Sequence, residues 1–144
     1  MKKIKTVAVS ACLLGQCCKY NGGSNRNDRV LRFTEGLQVI PVCPEVLGGL
    51  PVPRIPAEIR DGRVTAQDGT DVDDAFRRGA EAALRILQER GAELVILQPR
   101  SPSCGYREIY DGTFQHRRIP GRGVFAQMAA EAGIPAAEPE DLPD

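Results

Sequence analysis

Three short apolar runs end in turns, and each turn carries a cysteine. IKTVAVSA at residues 4–11 leads to Cys12, LQVIPVC at 37–43 ends on Cys43, and ELVILQ at 93–98 leads through PRSPS to Cys104. Before the third run lies the clearest helical pattern of the chain. Val72, Phe76, Ala80, Ala83, Leu84 and Leu87 recur at helical spacing across residues 71–90, forming one apolar stripe. Asp71 is the expected N-cap, and Gly91 ends the helix, as these residue types favour. Strands alternating with helices imply a parallel sheet. The expected architecture is therefore α/β: a small three-layer domain, Rossmann-like or flavodoxin-like, with a mostly parallel sheet and one unit across 1–144. In such sheets the carboxyl ends of strands gather at one crevice, where ligands bind. Cys12, Cys43 and Cys104 are thus expected to meet. Three thiolates without an equivalent fourth suggest a soft-metal or iron–sulfur site with one coordination position open.

The connecting segments read less clearly. Residues 13–28 form a Gly- and Asn-rich loop expected to cover the site, with a short helix around 29–36. Pro41 places the second strand at a sheet edge, because proline cannot donate a ladder hydrogen bond. Residues 44–58 hold four prolines and two glycines and read as neither helix nor regular strand. Asp61-Gly62 and Asp68-Gly69 signal a turn or hairpin over 62–70. Residues 99–123 read as a long loop, 124–132 as a second helix ended by Gly133, and 134–137 as a last short strand. The acidic, proline-containing tail from 138 is expected to fray.

Composition excludes several classes. Basic and acidic residues balance at 19 each and Trp is absent, so neither a nucleic-acid footprint nor a stacking platform is indicated. Lys2, Lys3 and Lys5 precede only Val7 to Ala11, too short for the apolar core of a signal peptide. No run approaches the ~20 apolar residues of a membrane span. The reading is cytoplasmic. In a reducing compartment, five cysteines point to metal binding or catalysis over disulfides. Oligomeric state is not legible.

The cysteines are not equivalent. Cys17 and Cys18 are adjacent, and no CxxC pair exists, which argues against a zinc ribbon and a thiol redox motif. Cys12 and Cys43 also fit the role of small buried hydrophobes. Cys104 lies in the polar turn Ser-Pro-Ser-Cys-Gly, where that role fails. Glu45, two residues after Cys43, is placed to move protons near a metal; a helix N-terminal charge is the alternative. Ser101 suits orienting a substrate or water, with turn capping as the alternative. Gly48-Gly49 and Gly121-Arg122-Gly123 lack a full phosphate fingerprint and read as turns. His116 reads as a solvated loop residue. Arg54 suits either an internal carboxylate such as Glu58 or an anionic ligand.

Three pieces together resemble one family. They are Ala11-Cys12-Leu13-Leu14-Gly15 with Cys18-Lys19-Tyr20-Asn21-Gly22; Cys43-Pro44-Glu45 with Gly48-Gly49-Leu50-Pro51 and Pro53-Arg54; and Ser101-Pro102-Ser103-Cys104-Gly105 with Ile109-Tyr110-Asp111-Gly112-Thr113-Phe114. In order and nearly end to end, this resembles the TudS-type thiouracil desulfidases. The resemblance implies a [4Fe–4S] cluster held by Cys12, Cys43 and Cys104, with Cys18 as the reserve ligand. It implies catalytic roles for Glu45 and Ser101 in non-redox desulfuration of a small thiolated pyrimidine such as 4-thiouracil. A cluster or metal carrier without desulfidase activity, or a thiol redox protein, is the other reading.

Overall fold

The apolar run behind the N-terminal lysines becomes β1 (Thr6–Ser10), the inner strand around which the fold is arranged. The computed structural model describes residues 3–143; Met1, Lys2 and Asp144 lie outside the described residues. β1 pairs in parallel with β2 (Gln38–Val42) on one side and with β5 (Leu94–Ile96) on the other. β5 pairs in parallel with β8 (Ala136–Ala137), giving the order β2-β1-β5-β8. Counted within the sheet this is 2-1-3-4, the flavodoxin-like order short of its last strand. β2 is an edge strand, as Pro41 requires.

Period-two alternation sorts the side chains into two cores. Ala8, Ile40, Val42, Val95 and Leu97 pack on one face against α3 (Asp73–Arg90) and α4 (Val124–Glu131), through Phe76, Ala80, Ala83, Leu87 and Phe125. Val7, Val9 and Ile96 pack on the other face against α1 (Asp28–Phe33), Leu13 and Leu142. The three-layer α/β expectation is met.

Several boundaries differ from the sequence reading. Residues 44–58 are not wholly irregular: α2 (Pro44–Leu47) is a single helical turn with Cys43 at its N-cap, where proline's fixed φ suits the first position. α3 starts at Asp73, with Val72 in the capping position. Asp71 still supports that end, accepting the Asp73 N–H at 2.9 Å. The hairpin expected at 62–70 begins earlier, as β3 (Ala57–Arg60) and β4 (Arg63–Ala66). The loop read over 99–123 contains a second hairpin, β6 (Glu108–Tyr110) and β7 (Arg118–Pro120).

The acidic tail does not fray over the described residues. Glu138 is buried and forms a reciprocal capping box with Asp141. Arg107 pairs with both carboxylates, and Leu142 enters the core. Partners for Glu138 and Asp141 and one apolar anchor outweigh the composition.

One close approach fixes the site's geometry. A Cβ on Gly79, inside α3, would lie 1.7 Å from the Pro44 carbonyl oxygen, and one on Gly48 would lie 2.0 Å from the Ala75 oxygen. Backbone-to-backbone contact of α2 and α3 therefore requires both glycines, although glycine inside a helix costs about 1 kcal/mol. α2 in turn aims Cys43 and Glu45.

Candidate active site

The sheet order reverses at β1: the chain leaves it first for β2, then returns to its other side for β5. Such a switch point opens a crevice at the carboxyl ends of the strands. Cys12 sits in the 3-10 turn Ala11–Leu14 directly after β1, and Cys43 directly after β2. Cys104 sits in the turn that follows β5. All three line one cavity of about 700 Å³, which Cys18, Glu45, Arg54, Ser101 and Ser103 also line. A cavity of this volume is within the range of small-molecule sites.

The turn carrying Cys104 is held by its neighbours. Arg100, at φ 64°, reverses the chain into it. The first turn of α4 then clasps it: the Val124 N–H donates to the Pro102 carbonyl, and the Phe125 and Ala126 N–H groups donate to the Ser103 carbonyl. These N–H groups lack partners within a helix, so one contact satisfies α4 and immobilises the turn. Within it, Ser101 Oγ accepts the N–H groups of Ser103 at 3.1 Å and Cys104 at 3.0 Å. Ser101 is thus the turn-capping residue as well as a cavity residue.

Glu45 is held from two sides. Arg54 Nε and Nη2 both lie 3.0 Å from Oε1, and the Ser103 hydroxyl donates to Oε2 at 2.7 Å. The same guanidinium reaches the carbonyls of Cys18 and Pro51. Arg54 therefore pairs with Glu45, not Glu58, whose carboxylate instead accepts the Gly112 and Phe114 N–H groups. Ser103 was not singled out by sequence. Its place two residues from Ser101 in a Ser-Pro-Ser turn was the available signal.

The thiols feel their burial and each other. Burial pushes the Cys104 thiol up to about 12, against hydrogen bonding to Ser10 and Ser103. Burial also raises Cys12, whose sulfur accepts from Asn25 Nδ2 at 3.5 Å. Cys43 is lowered to about 7, first by a hydrogen bond with Cys18, which is itself raised by that bond. Cys17 is exposed and outside the cavity lining. His116 is exposed at the cavity rim, edge-on to the Tyr110 ring at 6.3 Å.

Among the described residues, no three His, Cys, Asp or Glu side chains are grouped to hold a single metal ion. Cys12, Cys43 and Cys104 instead ring a cavity. That donor set fits an iron–sulfur cluster: thiolates are its ligands, and a four-iron cube needs its ligands farther apart than one ion does. Cluster binding would discharge the protons that burial now retains on Cys12 and Cys104.

The family described as 2-thiouracil desulfurase matches residues 7–141. The chain belongs to the 2-thiouracil desulfurase family. It is 35% identical to YbbK, an uncharacterized protein of Bacillus subtilis (strain 168), over 96% of this chain and 98% of that one. It is also similar to a solved structure, the [4Fe-4S]-dependent thiouracil desulfidase TudS, at 39% identity and TM-score 0.89, over 96% of this chain and 93% of that one. The motifs in which the sequence resembled a desulfurase are those that meet at the crevice. No helix among the described residues is long and apolar enough to cross a membrane.

Proposed function

We propose that this 2-thiouracil desulfurase family member is a [4Fe–4S]-dependent thiouracil desulfidase, converting a small thiolated pyrimidine to uracil and hydrosulfide. The observation that carries the reading is one cavity shared by three strand-end thiols and a carboxylate fixed by Arg54. Cys12, Cys43 and Cys104 are the cluster ligands in this reading, and Glu45 and Ser101 the catalytic groups. The bound cluster supplies a Lewis-acidic iron whose open position suits a soft thiocarbonyl sulfur.

The chain's own groups manage water and protons. Glu45 takes a proton from the water that attacks the ring carbon and returns it to the departing sulfur. Ser101 orients that water. The sum is a hydrolysis: water adds, hydrosulfide leaves, and no electrons are gained or lost. The balanced charge of 19 basic and 19 acidic residues favours a small molecule over RNA. We assign the reaction to the cytoplasm, where the five free thiols persist.

The test is anaerobic reconstitution with iron and sulfide, followed by sulfide release from 4-thiouracil. Turnover is expected, with Glu45→Gln keeping the iron and losing activity by roughly 10²–10⁴-fold. A full cluster that releases no sulfide overturns the reading and leaves a cluster carrier.

A further inference from the structure

Among the described residues, Cys12 is the one expected cluster ligand whose sulfur meets a side-chain amide. Asn25 Nδ2 donates to Cys12 Sγ at 3.5 Å, and Asn25 is half-buried in the lining of the same cavity. The other two sulfurs are served differently. The Val46 backbone N–H of α2 faces Cys43, and the hydroxyls of Ser10 and Ser103 face Cys104.

The backbone fixes that amide as well. The Asn25 N–H donates to the Cys12 carbonyl at 3.0 Å, and the Asn27 N–H donates to the Leu13 carbonyl at 3.0 Å. Residues 25–27 therefore run back along the 3-10 turn that carries Cys12. On one side Asn27 caps α1, its side chain accepting the Val30 N–H. On the other, a tight turn closes the loop, with the Lys19 N–H on the Gly23 carbonyl and the Gly22 N–H on the Lys19 carbonyl. Asn25 is thus joined twice to the residue it faces, once through the main chain and once through the side chain.

A cysteinate has no proton to give, so only the NH2 end of an amide can serve it. A hydrogen bond to a ligand sulfur draws charge out of the iron–sulfur bond. It favours the more negative, reduced cluster and so raises the potential. Partners of this kind also hold the ligand in its orientation. The thiol of Cys18 has a different partner, Cys43.

We propose that Asn25 is a positioning residue of the cluster site, its amide holding and polarising the Cys12 cysteinate so that Cys12, and not Cys18, is the third ligand. The proposal rests on the cluster reading above, and Asn25 acts through Cys12.

The experiment reconstitutes wild type, Asn25→Leu and Asn25→Asp anaerobically. Iron content, the midpoint potential of the cluster and the rate of iron release to a chelator are measured without substrate, and the cluster-free chains are melted. Leu keeps the bulk without a donor. Asp keeps the shape and, when ionised, only accepts. Neither change removes the main-chain bond to Cys12. The potential is expected to fall in the order wild type, Leu, Asp, and both variants are expected to release iron roughly 10–100-fold faster, with unchanged melting of the cluster-free chains. The fall on Asn25→Leu is expected to be the same in a Cys18→Ala background. Equal potentials in all three proteins, or an Asp variant indistinguishable from wild type, overturn the proposal, because shape alone then accounts for Asn25. Iron loss that comes with a lowered melting temperature of the cluster-free chain marks a merely structural residue and overturns it too. A wild type that holds its cluster and releases no sulfide from 4-thiouracil overturns the desulfidase reading alone and leaves the comparison of potentials standing.

Discussion

Arg54 and Glu45 form an ion pair almost closed to solvent, with side chains 8% and 15% exposed and Nη2–Oε1 at 3.0 Å. Removing one partner of such a pair leaves the other charge uncompensated. Arg54→Ala is expected to cost about 3 kcal/mol, the low end for a buried pair, read as a lowered denaturant midpoint. Arg54→Lys is expected to recover little. A lysine ammonium cannot reproduce a planar fork that reaches Glu45 and the carbonyls of Cys18 and Pro51 together.

Gly79→Ala carries an opposite expectation from its helix propensity. An exposed Gly→Ala change in a helix gains about 1 kcal/mol. Here the new Cβ meets the Pro44 oxygen at 1.7 Å, and overpacking of this kind costs about 1–3 kcal/mol. Net destabilisation is expected, together with reduced iron uptake as α2 moves Cys43. Thermal melting and iron assay of the same sample check both parts.

Cysteine variants separate the five thiols. Ala at position 12, 43 or 104 is expected to prevent stable iron incorporation. Cys17→Ala is expected to leave iron and turnover at wild-type levels, since Cys17 is exposed. Cys18→Ala is expected to keep the iron. If Cys18→Ala loses iron while Cys12→Ala retains it, the two exchange roles.

The C-terminal anchor has a pH dependence whose sign is determined. Hydrogen bonding to Arg107 lowers Asp141 from its ordinary value of 3.8. A carboxylate lowered in the folded state stabilises it above the unfolded pKa and loses that contribution as pH falls through the folded value. The 138–142 segment is therefore expected to loosen below about pH 3.8. Amide exchange at Leu142, compared with Arg107→Ala, checks this: the variant should be loose already at neutral pH.

The sheet was legible because β1, β2 and β5 are β-branched runs, and α3 because its stripe is long. Residues 118–120 escaped because Arg-Ile-Pro is exposed throughout and has no alternation to detect. α2 escaped because one helical turn gives no period. At the site, proximity in sequence tied Glu45 to Cys43 and Ser101 to Cys104. Arg54 was noticed but offered Glu58, a carboxylate closer in sequence than its actual partner. The tail misled because composition cannot register one arginine, Arg107, waiting across the fold.

The clasp of α4 on the Pro102–Ser103 carbonyls sets an order of assembly. Every side chain assigned to the chemistry lies between positions 12 and 104. A chain halted at Arg122 would own them all, yet would lack the amides that shape the Ser101–Cys104 turn. During synthesis the site must stay unfinished until α4 has emerged, so competence for cofactor loading arrives only some twenty residues after the last of its side chains, Cys104, has been made.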